Sequence, residues 1–348
     1  MRDDIALMDG YHSPQVDVAV RLNTNEAPVP PPPAFLEALH EELATIPFHR
    51  YPDRSAKALR SAIGEQHGVG PDQVFAANGS NEVLQSLCLA YGGPGRTVAV
   101  FEPTYALHRH IARITGTAVA TGERHADFTL DTGEVERVLA EAEPVITFLC
   151  SPNNPTGRVE PRDVVESVVA LAPGLVVVDE AYGQFAPWSS LSLVSVDRPL
   201  VVTRTFSKTW SMAAARLGYL VGPPEVVAAC EAVALPYHLD AMKQVAGRLA
   251  VRFTSEMEAR MSMLVKERGR LAAGLAELPV ETWPSGANFI LFRPIERDGE
   301  AVHAALLERS VLIRNCASWP RLDGCLRVTV GTQSENDAFL GALAEALA

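Results

Sequence analysis

No stretch of the 348 residues approaches the ~18 consecutive apolar residues of a membrane span. Met1-Arg2-Asp3-Asp4 is acidic, and no apolar run long enough for a signal peptide follows it. Cysteine is scarce and unpatterned. Cys88, Cys150, Cys230, Cys316 and Cys325 are odd in number and have no Cys-x-x-Cys spacing. Buried thiols in a reducing, cytoplasmic setting are therefore expected. Positive charge is in deficit, with a formal net charge of −12. The overall field repels polyanions, which argues against a nucleic-acid or anionic-membrane binder. It leaves room for a small anion held by a few arginines in a cleft. There is no fixed-period repeat. No metal is expected either, because His108 and His110 are two apart in a helical stretch and face different ways.

What is present is ordinary for a soluble enzyme, with 47% hydrophobic and 21% charged residues. Strand candidates are 74–77, 97–101, 118–120, 145–150, 175–178, 200–203 and 219–221, and helix-like segments separate most of them. Unbroken apolar strands alternating with helices predict an α/β fold with a mostly parallel central sheet covered on both faces. Ligands of such sheets sit beyond the carboxyl ends of the strands. Pro223-Pro224 marks a boundary. Beyond it, residues 241–277 read as one bent helix or two. Strand candidates follow at 288–293, 311–314 and 326–330, indicating a smaller α+β domain. The expected division is an N-terminal arm over 1–46 that joins the small domain, a large domain over 47–236 and a small domain over 237–348.

Polar signatures fall at four strand ends. Asn78-Gly79-Ser80-Asn81 opens a helix, whose free N–H groups and positive dipole end suit a phosphate. An ordinary N-cap by Ser80 or Asn81 explains the same string. Ser151-Pro152-Asn153-Asn154-Pro155-Thr156-Gly157 holds two amides on a stiff turn. Asp179 follows four apolar residues, and a carboxylate buried there needs a partner. Tyr182 lies three residues on. In the fourth, Arg204-Thr205-Phe206-Ser207-Lys208 follows an apolar strand, with Arg216 eight residues beyond the lysine. The amine suits a Schiff base with a carbonyl, and the hydroxyls with the arginine suit an anionic handle. Pyridoxal 5′-phosphate requires all of these groups together.

The ordered strings resemble those of the fold-type I pyridoxal-phosphate enzymes, within them the class II aminotransferases, and most closely the histidinol-phosphate aminotransferase family. The resemblance spans nearly the whole chain. It includes Leu22 to Glu26, Arg50 to Asp53, Pro103-Thr104-Tyr105, Ser151 to Gly157 and Asp179 to Tyr182. Arg204 to Lys208 with Arg216, Ser285 to Phe289 and Leu326 to Thr332 complete it. It implies that Lys208 bonds the cofactor and shuttles the proton between substrate Cα and the cofactor carbon. Asp179 would pair with the ring nitrogen. Asn154 and Tyr182 would contact the phenolic oxygen, and Tyr105 would stack on the ring. Ser80, Asn81, Thr205, Ser207 and Arg216 would hold the phosphate. Tyr51 would reach the cofactor of a second subunit, which makes a homodimer part of the expectation. Arg327, with Arg314 as a second partner and Asn154 nearby, would bind the substrate.

The implied activity moves an amino group from histidinol phosphate to 2-oxoglutarate in histidine biosynthesis. An aromatic amino-acid aminotransferase or a threonine-phosphate decarboxylase is the alternative. A regulator would need a spare DNA-binding domain of about 60 residues, and there is none. Two strings depart from the family pattern. Ser211 to Ala215 replaces a Leu-Ala-Gly-Leu-like run, and Asn25 to Val29 lacks the tyrosine that many members carry soon after the Asn-x-Asn-Glu string. Purified protein should show a visible absorbance band sensitive to pH and amines, and Lys208→Ala should abolish it. A wild type without such a band would overturn the lysine assignment.

Overall fold

The computed structural model describes residues 16–348. Strands are numbered along the chain, β1 being Val20–Arg21 in the arm. A seven-stranded sheet contains β2 (Val74–Ala77), β3 (Thr97–Glu102), β4 (Ala118–Glu123), β5 (Ile146–Cys150), β6 (Leu175–Asp179), β7 (Leu200–Thr205) and β8 (Gly218–Val221). Its order is β2-β8-β7-β6-β5-β3-β4. Strands β3 to β7 pair in parallel, while β8 runs antiparallel to both β7 and β2.

Both faces of the sheet are covered, which explains the unbroken apolar strands. Helices α1 (Pro33–Leu43) and α2 (Lys57–His67) precede the sheet. On one face Val177 and Val201 meet α3 (Gly79–Tyr91), α4 (Ala106–Ile114) and α7 (Pro224–Val233). On the other, Val176, Val178 and Val202 meet α5 (Thr132–Ala142) and α6 (Arg162–Leu171). Alternate residues of one strand thus serve two cores.

The antiparallel β8 is the departure from an all-parallel sheet. After Lys208 the chain doubles back, and Phe206 N–H donates to Leu217 O at 2.9 Å. The reversal returns Arg216 to the strand end that carries Ser207. Apolar periodicity is blind to strand direction, so the sequence gives no sign of this turn.

The expected long helix over 241–277 is two, α8 (Ala241–Ala250) and α9 (Thr254–Ala276), joined by a 3-10 turn at Val251–Phe253. Leu249, Ala250 and Met257 share a core with Phe35 of α1, Leu59 of α2 and Trp210. Further on, β9 (Val280–Thr282) and β10 (Phe289–Pro294) lead to α10 (Gly299–Glu308). The segment read as one strand over 311–314 is split. Its first half, β11 (Val311–Leu312), pairs in parallel with β1, and β12 (Arg314–Asn315) pairs with β13 (Leu326–Thr329). A four-stranded antiparallel sheet results, ordered β12-β13-β10-β9. Helix α11 (Gln333–Leu347) closes the chain behind a capping box of Thr332 and Glu335. Among the described residues no helix is long and apolar enough to cross a membrane.

Gly218, at the start of β8, lies against the first turn of α3. A Cβ there would sit 2.2 Å from Ser80 N and 2.5 Å from Gly79 C. Both are backbone atoms and cannot swing aside. Gly218→Ala should cost about 2–3 kcal/mol in denaturant unfolding and also weaken anion binding at that helix start.

Candidate active site

The carboxyl ends of β3, β5, β6 and β7 open on one cleft of about 250 Å³. Ser80, Asn81, Tyr105, Asn154, Asp179, Tyr182, Thr205, Ser207, Lys208, Arg216 and Arg327 all line it.

One end of the cleft is built for an anion. Ser80 and Asn81 lie in the first turn of α3. Thr205 Oγ1 donates to Ser207 Oγ at 3.0 Å, and Arg216 Nη1 donates to the same Ser207 oxygen at 3.2 Å. Arg216 can approach because residue 79 is glycine. A Cβ on Gly79 would lie 2.9 Å from Arg216 Nη2, and the residue has a φ of +79°. Helix N–H groups, hydroxyls and a guanidinium converge there, the donor set of a phosphate site.

The floor carries a buried carboxylate. Asp179 is 1% exposed at the end of β6. Its Oδ1 accepts from Thr203 Oγ1 at 3.2 Å and from Ala181 N–H at 3.1 Å. Its Oδ2 lies 3.0 Å from His108 Nε2. The His108 ring is buried, stacked on Phe148 at 4.8 Å, and its Nδ1 has no hydrogen-bond partner. An Nε2 hydrogen donated to Oδ2 satisfies this geometry. The neighbouring Glu180 turns away and pairs with buried Arg204 at 2.8 Å.

The opposite wall joins the arm to the lysine. Lys208 Nζ donates to Thr24 O at 3.1 Å and lies 5.6 Å from the Tyr182 ring centroid. Loss of hydration, reinforced by Arg327 and Arg216 and opposed by Glu26, pushes its pKa down to about 7. The amine is thus available as a nucleophile and base near neutral pH. Tyr182 is shifted the other way, to about 12, chiefly by burial, so its hydroxyl keeps its proton. Arg327 donates from Nη2 to Asn23 O at 3.0 Å and from Nη1 to Asn154 Oδ1. Asn154 therefore turns its Nδ2 hydrogens elsewhere, towards the cleft it lines.

Two expected residues stand apart. Tyr51 does not line the cleft. It is 80% exposed and stacked on Tyr237 at 4.5 Å. Arg314 also lies outside the lining, although it faces Arg327 in register across β12 and β13. Its guanidinium sits 5.1 Å over the ring of Trp319, which does line the cleft. Sequence reading missed four residues at the site: Thr24, Asn25, His108 and Trp319. For His108 a signal existed, since it follows Tyr105 by three residues on the same helical side. Thr24 and Asn25 stand inside the Leu22 to Glu26 string without a role assigned to them, and nothing local distinguishes Trp319.

The family model described as "Aminotransferase class I and II" matches residues 17–343. The chain belongs to this aminotransferase family. Its relatives include the histidinol-phosphate aminotransferase of Frankia casuarinae, 44% identical over 363 residues, covering 100% of this chain and 90% of that protein. The protein of the same name from Thermobifida fusca is 43% identical, covering 99% of this chain and 94% of its own. Among solved structures, the histidinol-phosphate aminotransferase of Sinorhizobium meliloti in complex with pyridoxal-5′-phosphate superposes with a TM-score of 0.90. It is 21% identical and covers 100% of this chain and 97% of that one, a likeness that shows the fold alone.

The aminotransferase cleft fits pyridoxal 5′-phosphate on its own geometry. An anion cup, a depressed lysine amine and a buried carboxylate line one space. The lysine also leaves a signature in the cofactor-free protein. Its folded pKa of about 7 lies below the unfolded value, so the unfolded chain binds more protons between the two. Stability from this group is therefore gained as pH rises from about 7 towards the ordinary lysine range of ~10.4 and is absent below it. Cofactor-free Lys208→Met should exceed wild type in melting temperature most at pH 7 and below, with the gap shrinking as pH rises to 10. A gap independent of pH would contradict the depressed amine.

Proposed function

We propose that the protein is a pyridoxal-phosphate-dependent histidinol-phosphate aminotransferase that passes the amino group to 2-oxoglutarate. The observation that carries the substrate is the pair Arg327 and Arg314, register partners on β13 and β12, with Arg327 lining the cleft and Arg314 over the ring of Trp319, which also lines it. A monoanionic carboxylate is matched by one guanidinium, whereas a phosphate dianion engages two. The names of relatives above 40% identity over full length agree with this reading.

When bound, the cofactor supplies an electron sink for the substrate Cα. The chain's own groups do the rest. Asp179, steadied by His108, Thr203 and the Ala181 amide, would hold a proton on the ring nitrogen. Asn154 and the Tyr182 hydroxyl would contact the phenolic oxygen. Tyr105, whose hydroxyl donates to Asn81 Oδ1 at 3.2 Å, would cover the ring. Ser80, Asn81, Thr205, Ser207 and Arg216 would hold the phosphate. Lys208 Nζ would be the base for the Cα proton.

The working unit in this reading is a homodimer in the cytoplasm. Tyr51, stacked on Tyr237 and next to exposed Phe48, belongs to the face that meets the second copy and completes its phosphate site.

Turnover of histidinol phosphate should exceed that of phenylalanine by a large margin in kcat/KM. Arg314→Gln should lower kcat/KM for histidinol phosphate at least about tenfold while leaving phenylalanine within about twofold. A preference for phenylalanine would replace the substrate assignment and leave the cofactor chemistry standing.

A further inference from the structure

We infer that Asn25 is a positioning residue that fixes the direction of the Tyr182 hydroxyl hydrogen, aiming it at the cofactor's phenolic oxygen. The inference rests on the cofactor reading above.

Asn25 is 1% exposed and has a φ of +55°, a left-handed conformation that asparagine tolerates better than most residues. Each of its polar groups is engaged. Its N–H donates to Thr329 Oγ1 at 3.0 Å, and its carbonyl accepts from Asn288 Nδ2 at 3.2 Å. Its Oδ1 accepts from Thr329 Oγ1 at 3.1 Å, and its Nδ2 donates to the Tyr182 hydroxyl oxygen at 2.9 Å.

This pattern orients the amide. Thr329 Oγ1 already accepts the Asn25 N–H, so its own hydrogen goes to Asn25 Oδ1. The NH₂ group is then the part that meets Tyr182. A phenol oxygen that accepts on this side carries its hydrogen elsewhere. The Tyr182 hydroxyl donates to no protein group among the described residues. Tyr182 lines the cleft beside Lys208 and Asn154, and its ring is held edge-on against Phe289 at 5.0 Å. Ring and hydroxyl are both fixed, and the remaining direction for the hydrogen is the cleft.

A donor aimed at the phenolic oxygen stabilises its anionic form. That oxygen governs the pH at which the visible band of the cofactor-loaded protein changes colour. Tyr182→Phe removes the donor and raises this midpoint. If Asn25 acts by aiming that donor, its removal raises the midpoint only while the Tyr182 hydroxyl is present.

The test is a double-mutant cycle on the cofactor-loaded protein without substrate, read by visible absorbance against pH. The variants are Asn25→Gly, Tyr182→Phe and both together. Glycine suits the left-handed backbone, so the substitution removes the side chain without backbone strain. Asn25→Gly should raise the midpoint by at least about half a pH unit in the presence of Tyr182 and leave it unmoved in Tyr182→Phe. If Asn25→Gly retains too little cofactor to titrate, Asn25→Asp, which keeps the shape, runs through the same cycle and is read by the coupling alone. Equal shifts in both backgrounds would reduce Asn25 to a structural anchor and overturn the inference. A wild type without a pH-sensitive band would instead overturn the cofactor reading.

Discussion

The cleft gathers more positive charge than it neutralises, and the architecture follows from keeping those cations apart but pointed inward. Lys208, Arg216 and Arg327 share one small space with a single buried carboxylate, Asp179, in a chain that is strongly acidic as a whole. Like charges sharing one small space repel. Each arginine is therefore tied back: Arg216 to Ser207, and Arg327 to Asn23 and Asn154. Among the described residues the lysine has no anionic partner at hydrogen-bond distance, only the Thr24 carbonyl, and its pKa falls to about 7. The remaining imbalance favours doubly charged anions, which is how an acidic protein comes to suit phosphorylated ligands.

The large sheet provides the rigidity this requires. Strands β5, β6 and β7 are buried throughout, so the residues at their carboxyl ends have little freedom. Asn154, Asp179 and Thr205 occupy those ends, and their side chains reach the cleft without long flexible linkers. The reversal into β8 adds a second use of one strand end, bringing Arg216 back beside Ser207. The carboxyl ends of β6 and β7 thus carry both the buried carboxylate and the cluster of hydroxyls and guanidinium.

Much of this was legible in the sequence because it is local. Four apolar residues followed by Asp179, or Leu200 to Thr203 followed by Arg204 to Lys208, mark a strand and its end together. The groups that could not be read depend on partners far along the chain. His108 meets Asp179 across 71 residues, and its spacing from Tyr105 marks a helical side without naming that partner. Asn25 meets Tyr182 across 157 residues and Thr329 across 304. The split of 311–314 into β11 and β12 is invisible for the same reason, since each half answers to a different partner strand. The direction of β8 leaves no mark because hydrophobic alternation has no polarity.

Three consecutive arm residues each hold one cleft group: Asn23 the Arg327 guanidinium, Thr24 the Lys208 amine, and Asn25 the Tyr182 hydroxyl. The arm is in turn held by β11 and by Thr329. A ribosome delivers residue 25 a full 304 residues before residue 329. Until Thr329 is made the arm lacks the groups it docks on. The reactive centre therefore matures only after that point, and a chain that stops before it carries the lysine without the turn that holds it.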